Sequence, residues 1–160
     1  MRTSRQQLRL ALLRSFALCT PFLRWPKGKG RRDDLRILLI RPDHIGDLLF
    51  ATPAIRVLRQ AFPDAYLACM VGPWAKAVLE NNPYLDEIIV CSFPGFTRRP
   101  KGSVLAPYRM LYEWAAKLKA WHFDAAIVLR FDHWWGALLA YLAGVPYRLG
   151  YAIAECAPFL

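Results

Sequence analysis

The sequence predicts an α/β fold in which a doubly wound parallel sheet carries helices on both faces. Three observations point there. From residue 35 onward, short aliphatic or β-branched runs alternate with stretches of helical periodicity. The first run, Leu35-Arg36-Ile37-Leu38-Leu39-Ile40, is almost continuously apolar, as suits a strand buried on both faces. Turn signals such as Pro63-Asp64, Gly72-Pro73, Asn81-Asn82-Pro83 and Gly144-Val145-Pro146 separate the elements. Right-handed crossovers then wind successive strand–helix–strand units around one sheet.

Residues 1–34 form a leader outside this pattern. An apolar-basic stretch, Leu8–Leu18, is interrupted by Arg9 and Arg14, and Lys27-Gly28-Lys29-Gly30-Arg31-Arg32 follows as a cationic linker. The stretch is well short of the roughly 20 apolar residues that cross a bilayer, and no small-residue cleavage site follows it. Two readings stand side by side. One is peripheral attachment to an anionic membrane face; the other is an extra helix packed on the domain.

Residues 35–160 form the folded domain. After the first strand comes the loop Arg41–Asp47. Ala51, Ala54, Ile55, Leu58, Ala61 and Phe62 then recur at helical spacing. Thr52-Pro53 reads as an N-cap with proline at the first helical position, so the helix is expected to restart or kink there. Residues 65–71 form the second strand, residues 74–80 a short helix and residues 87–91 the third strand. Residues 92–106 read as a long basic loop. A helix over about 107–120 precedes a fourth strand at 125–129. A helix at 134–143 leads to a fifth strand at 147–151.

Composition limits the function classes. The chain has 160 residues, is 56% hydrophobic and carries a net charge of +10. Residues 1–36 hold +8 of that charge and the remainder only +2. The basic character thus belongs to the leader, and no basic face with interleaved aromatics supports nucleic-acid binding. Cys19, Cys69, Cys91 and Cys156 show neither a CxxC pair nor metal-ligand spacing, and read as reduced, mostly buried thiols.

In doubly wound sheets, ligands bind beyond the carboxyl ends of the strands. That rule selects the loops Arg41–Asp47, Gly72-Pro73 and Arg130–His133. The first loop contains neither a G-x-G-x-x-G fingerprint nor a P-loop. It presents instead a carboxylate, Asp47, directly after Gly46 at the mouth of a helix. Such a carboxylate is suited to act as general base for a hydroxyl group; the alternative is that Asp47 or Asp43 merely caps the helix.

The block from Arg36 to Arg59 closely resembles the opening of glycosyltransferase family nine, the lipopolysaccharide heptosyltransferases and their relatives. The shared pattern is an aliphatic strand, a polar loop, Gly46-Asp47, apolar residues, Thr52-Pro53, and a helix ending at Phe62-Pro63-Asp64. Phe123–Leu129 and Gly136–Tyr151 are similar to later family segments, and the resemblance spans about residues 35–151. One departure is Arg130-Phe131-Asp132-His133-Trp134-Trp135, where many members carry a short Gln-Gly-like element.

The resemblance implies the N-terminal, acceptor-side half of a GT-B enzyme built from two Rossmann-like domains. The nucleotide-sugar donor would be held mainly by a C-terminal domain that lies outside these 160 residues. It implies inverting, metal-independent transfer from a donor such as ADP-heptose to a saccharide or lipid-linked acceptor in bacterial cell-envelope or lipopolysaccharide synthesis. Asp47 would be the base. Arg41, Asp43, His44, Gly46, Gly72, Arg130 and Asp132 are the candidate acceptor-binding residues. Arg41, His44 and Arg130 suit acidic groups on the acceptor, with loop anchoring as the alternative. No metal or other cofactor is expected, and no Asp-x-Asp occurs. The expected setting is cytoplasmic, with the leader as a means of attachment to the inner face of the membrane. The alternative to an enzyme is a non-catalytic, membrane-associated binding module of the same fold.

Overall fold

The computed structural model describes residues 35–96 and 105–160. The readings made for the leader, and those for most of the basic loop, fall outside the described residues. In chain order the elements are β1 (Arg36–Arg41), α1 (Ile45–Ala61), β2 (Tyr66–Val71), α2 (Lys76–Leu79), β3 (Glu87–Val90), α3 (Ala106–Lys119), β4 (Ala125–Val128), α4 (Trp134–Leu142) and β5 (Tyr147–Leu149). A 3-10 turn, Ala157–Phe159, follows. The sheet order is β3-β2-β1-β4-β5, and every pairing is parallel. This is the expected α/β architecture.

The alternation of side chains along β1 builds two cores. Ile37 and Leu39 face α1 and α2, against Leu48, Ala51, Ile55 and Leu79. Leu38 and Ile40 face α3 and α4, against Leu111, Leu118, Trp135 and Leu139. With neighbours on both edges and helices over both faces, a near-continuous apolar strand leaves no side free for a polar residue. The C-terminal turn closes the second layer through the fully buried Phe159, whose ring meets Tyr141 edge to face at 5.7 Å.

Hydrogen bonds at the amino ends of the strands set the register. Asp124, just before β4, accepts from the Arg36 amide at 2.8 Å; Asp86, just before β3, accepts from the Leu67 amide at 2.7 Å. Each carboxylate satisfies a strand-entry N–H that the ladder leaves open. Arg59 ties the end of α1 to the same edge, donating to the carbonyls of Pro63 and Ala65 and to Asp86 Oδ2.

The first helix departs from expectation. It begins at Ile45 and runs unbroken to Ala61 with Pro53 inside it, and Thr52 is not an N-cap. Pro53 has no N–H for the carbonyl of Leu49, four residues back. The Thr52 hydroxyl donates to that carbonyl at 2.8 Å, replacing the lost partner. Thr-Pro is therefore a repair pair within one helix, not a helix start. The short helix after β2 is also smaller than expected, and β5 stops at Leu149.

Leu39 is fully buried at the centre of the sheet. Leu39→Ala is expected to lower unfolding stability by about 2–5 kcal/mol, through lost transfer energy and a residual cavity. Urea denaturation followed by tryptophan fluorescence measures it.

Candidate functional site

The chain runs from β1 outward to β2 and β3, then returns to β4 on β1's other side. The reversal places a crevice beyond the carboxyl ends of β1 and β4, where ligands of such sheets bind. Two of the selected loops meet there, the one opening α1 and the one opening α4.

A charge cluster joins them. Asp43 is only 2% exposed; Arg41 Nε lies 2.7 Å from its Oδ2, and Arg130 Nη1 donates to its Oδ1. Arg41 donates further to the carbonyl of Leu129 at the end of β4, and to that of Asp47 at 3.4 Å. Arg130 also holds Asp132, with Nε 2.5 Å from Oδ1. That hydrogen bond keeps the Asp132 carboxyl below the usual carboxylate range and raises the Arg130 guanidinium further. Both arginines are thus engaged within the chain, binding one loop to the other. Asp43 is the centre of this clasp and α1 has no side-chain cap, so neither Asp43 nor Asp47 caps the helix.

Asp47 stands apart from the cluster. It lies exposed in the first turn of α1. Among the described residues, no side chain or backbone group hydrogen-bonds its carboxylate. Gly46 beside it is exposed, and a Cβ there would meet nothing within 4 Å. The first turn of α1 therefore presents a carboxylate on open surface.

Aromatic rings line the far side. Trp74 Nε1 donates to the Asp43 carbonyl at 2.9 Å, and the exposed His44 ring stacks on the indole at 5.5 Å. Gly72 makes room for that indole, since a Cβ would lie 2.3 Å from the Trp74 ring. Phe96 sits 6.5 Å from His44 and 5.8 Å from His133, with Arg130 5.1 Å over its face. Trp135 belongs to the core, its Nε1 donating to the Pro107 carbonyl.

The sequence-predicted residues Arg41, Asp43, His44, Gly46, Asp47, Arg130 and Asp132 therefore gather at one crevice, and Gly72 borders it by seating Trp74. Trp74, Phe96 and the His133 imidazole were not singled out. Only the short Gly72-Pro73-Trp74 spacing offered a signal, a glycine beside a large ring. Among the described residues, no group of three or more His, Cys, Asp or Glu is placed to hold a metal ion. Cys69, Cys91 and Cys156 are buried and free, and burial pushes Cys69 and Cys91 up to about 12. They are not nucleophiles at neutral pH. No described helix is long and apolar enough to cross a membrane.

Comparison with known proteins agrees with the family resemblance. No family model matches the chain. It is 29% identical over 114 residues to a provisionally assigned glycosyltransferase of Haemophilus influenzae, covering 71% of this chain and 30% of that one. It is 26% identical over 117 residues to lipopolysaccharide heptosyltransferase 2 of Escherichia coli, covering 73% and 31%. The structure of the E. coli ADP-heptose heptosyltransferase II superposes with a TM-score of 0.62 at 23% identity, over 79% of this chain and 33% of that one. A family 9 glycosyltransferase from Veillonella parvula gives 0.61 at 24%, over 79% and 34%. The structural likenesses show the fold, and the sequence likenesses bear out the resemblance to glycosyltransferase family nine. The chain spans about a third of the length of the relatives it matches.

Two outcomes test this geometry. Asp43→Ala leaves two guanidinium groups facing each other without their shared carboxylate, and is expected to cost about 3–5 kcal/mol of stability in urea unfolding. Gly46→Ala places a methyl group in open space within a helical turn. It is expected to raise stability by about 0.5–1 kcal/mol in the same assay.

Proposed function

We propose that this chain, similar in sequence and fold to the family nine glycosyltransferases, is the acceptor-side portion of such an enzyme. The reaction is inverting transfer of a sugar, of the heptose class, from a nucleotide-diphosphate donor to a hydroxyl of a saccharide or lipid-linked acceptor in envelope polysaccharide synthesis. The observation that carries the reading is the unengaged, exposed Asp47 carboxylate in the first turn of α1, beside the crevice between β1 and β4.

The chemistry follows from that position. The acceptor hydroxyl approaches the anomeric carbon with its proton directed at Asp47. As the new C–O bond forms, the carboxylate takes the proton, and the bond to the diphosphate breaks on the opposite face. Charge on the leaving diphosphate needs donors or cations aimed at it. Arg41 and Arg130 are turned toward Asp43 and Asp132, so those groups belong to the donor-binding half.

The GT-B reading has a second support. Ile45, Leu49 and Phe50 surround the start of α1, and Phe50 is 87% exposed. Exposed apolar side chains on the first turns of α1 suit a surface that another domain or an acceptor covers. The arginine clasp orients the loop that carries Asp47, so Arg41, Asp43, Arg130 and Asp132 serve the acceptor site by positioning. His44, exposed on its Trp74 support, is the residue of that set free to contact the acceptor directly.

In the enzyme that unites this portion with its donor domain, Asp47→Asn is expected to reduce turnover by about 10²–10⁴-fold, with the melting midpoint unchanged. Release of nucleoside diphosphate in the presence of acceptor measures turnover. Activity within about threefold of the parent removes Asp47 from the role of base.

A further inference from the structure

His133 stands between β4 and α4; Arg41 Nε and Asp43 Oδ2 are also buried without a hydrogen bond but form an ion pair with each other, which the imidazole does not have. The residue is 4% exposed, and among the described residues neither Nδ1 nor Nε2 has a hydrogen-bond partner. The ring folds back over the first turn of α4, where a Cβ on Gly136 would lie 2.4 Å from Nδ1. It does not cap the helix. Phe93 and Phe96 meet it edge to face at 5.3 and 5.8 Å, and Trp135 lies at 6.2 Å.

Packing alone does not account for an imidazole here. A phenyl ring fills a similar space without removing two polar nitrogens from water. Burial, reinforced by Arg130, pushes His133 down to about 4, so the ring is neutral at physiological pH. A neutral imidazole offers one N–H donor and one lone-pair acceptor. Either nitrogen can pair with a hydroxyl, which both donates and accepts, whereas only the N–H can serve an anion. The location points the same way. Asp132, the preceding residue, is held by Arg130, which in turn holds Asp43, four residues before Asp47.

We propose that His133 is a specificity residue for the acceptor, hydrogen-bonding a second hydroxyl of the saccharide whose reactive hydroxyl faces Asp47. The inference rests on the acceptor-side reading above and adds to it the residue that recognises a neutral polyol. The half-buried Phe96 ring lies 5.8 Å from His133 and 6.5 Å from His44, and the proposal requires that ring to turn aside for saccharide to reach the imidazole. Gly136 keeps the space beneath the imidazole clear.

The test uses the 160-residue chain labelled with 15N, titrated with a soluble heptose-containing oligosaccharide. Binding is followed by tryptophan fluorescence and by the imidazole nitrogen resonances. The expected result is a shift of both His133 nitrogens that saturates with the fluorescence change. His133→Phe is expected to fold with an equal or higher melting midpoint and to weaken binding about tenfold. His133→Gln, which keeps a donor and an acceptor, is expected to stay within a few-fold of the parent, and serves if the phenylalanine variant does not fold. Saccharide binding that leaves the His133 nitrogens unmoved, or binding by His133→Phe within about twofold, overturns the inference while the acceptor-side reading stands. No saccharide binding by the parent overturns both. Loss of the base role of Asp47, read from turnover, leaves His133 in place.

Discussion

The site depends on one buried carboxylate. Asp43 is held out of water between two guanidinium groups, one from the end of β1 and one from the loop beyond β4. A buried charge of this kind is tolerated only when its partners are fully formed, so the two loops are obliged to meet. Their meeting defines the crevice. It also fixes where α1 begins, because Arg41 reaches the carbonyl of Asp47 from the same clasp. Charged residues that a sequence reader would offer to a ligand are here engaged with one another. The one carboxylate left over is then the group with chemical freedom.

The rest of the fold serves to hold that meeting point still. β1 is paired on both edges, and its two faces are covered by different helices. The strand can neither slide nor turn without exposing Leu38 or Leu39. At the opposite end of the sheet, Asp86 and Asp124 anchor the strand entries. Concave surface exists there too, around Arg36, Tyr66 and Trp121, but Arg36 is stacked on Tyr66 at 3.9 Å and bonded to the Trp121 carbonyl. Those groups close the bottom of the sheet, at the end where ligands of such folds do not bind.

Two kinds of polar group share the crevice, and the contrast divides their roles. Arg41, Asp43, Arg130 and Asp132 are tied to each other by ion pairs, which gives rigidity. Asp47 and His133 have no such partners, one in solvent and one among aromatic rings. Groups left outside the ion pairs of a rigid frame are where binding and proton transfer are expected, since the frame restrains their geometry before the ligand arrives.

Much of this was legible in the residues. Five apolar runs separated by helical periodicity dictate a wound parallel sheet, because strands buried on both faces need helices on both sides. The placement of Gly46-Asp47 after the first strand dictates that a carboxylate stands at the carboxyl edge of the sheet, the edge where ligands of such folds bind. Other features required the folded chain. Thr52-Pro53 has the local chemistry of a helix start, yet it lies mid-helix, because a hydroxyl can replace the missing amide only once the helix around it exists. Likewise Arg41 and Arg130 stay open between ligand binding and loop anchoring until β1 and β4 become neighbours and bring 87 residues of separation between Asp43 and Arg130 down to one hydrogen bond. Periodicity and local spacing report what each segment can bury. Which charges meet is a long-range contact, and only the tertiary structure decides it.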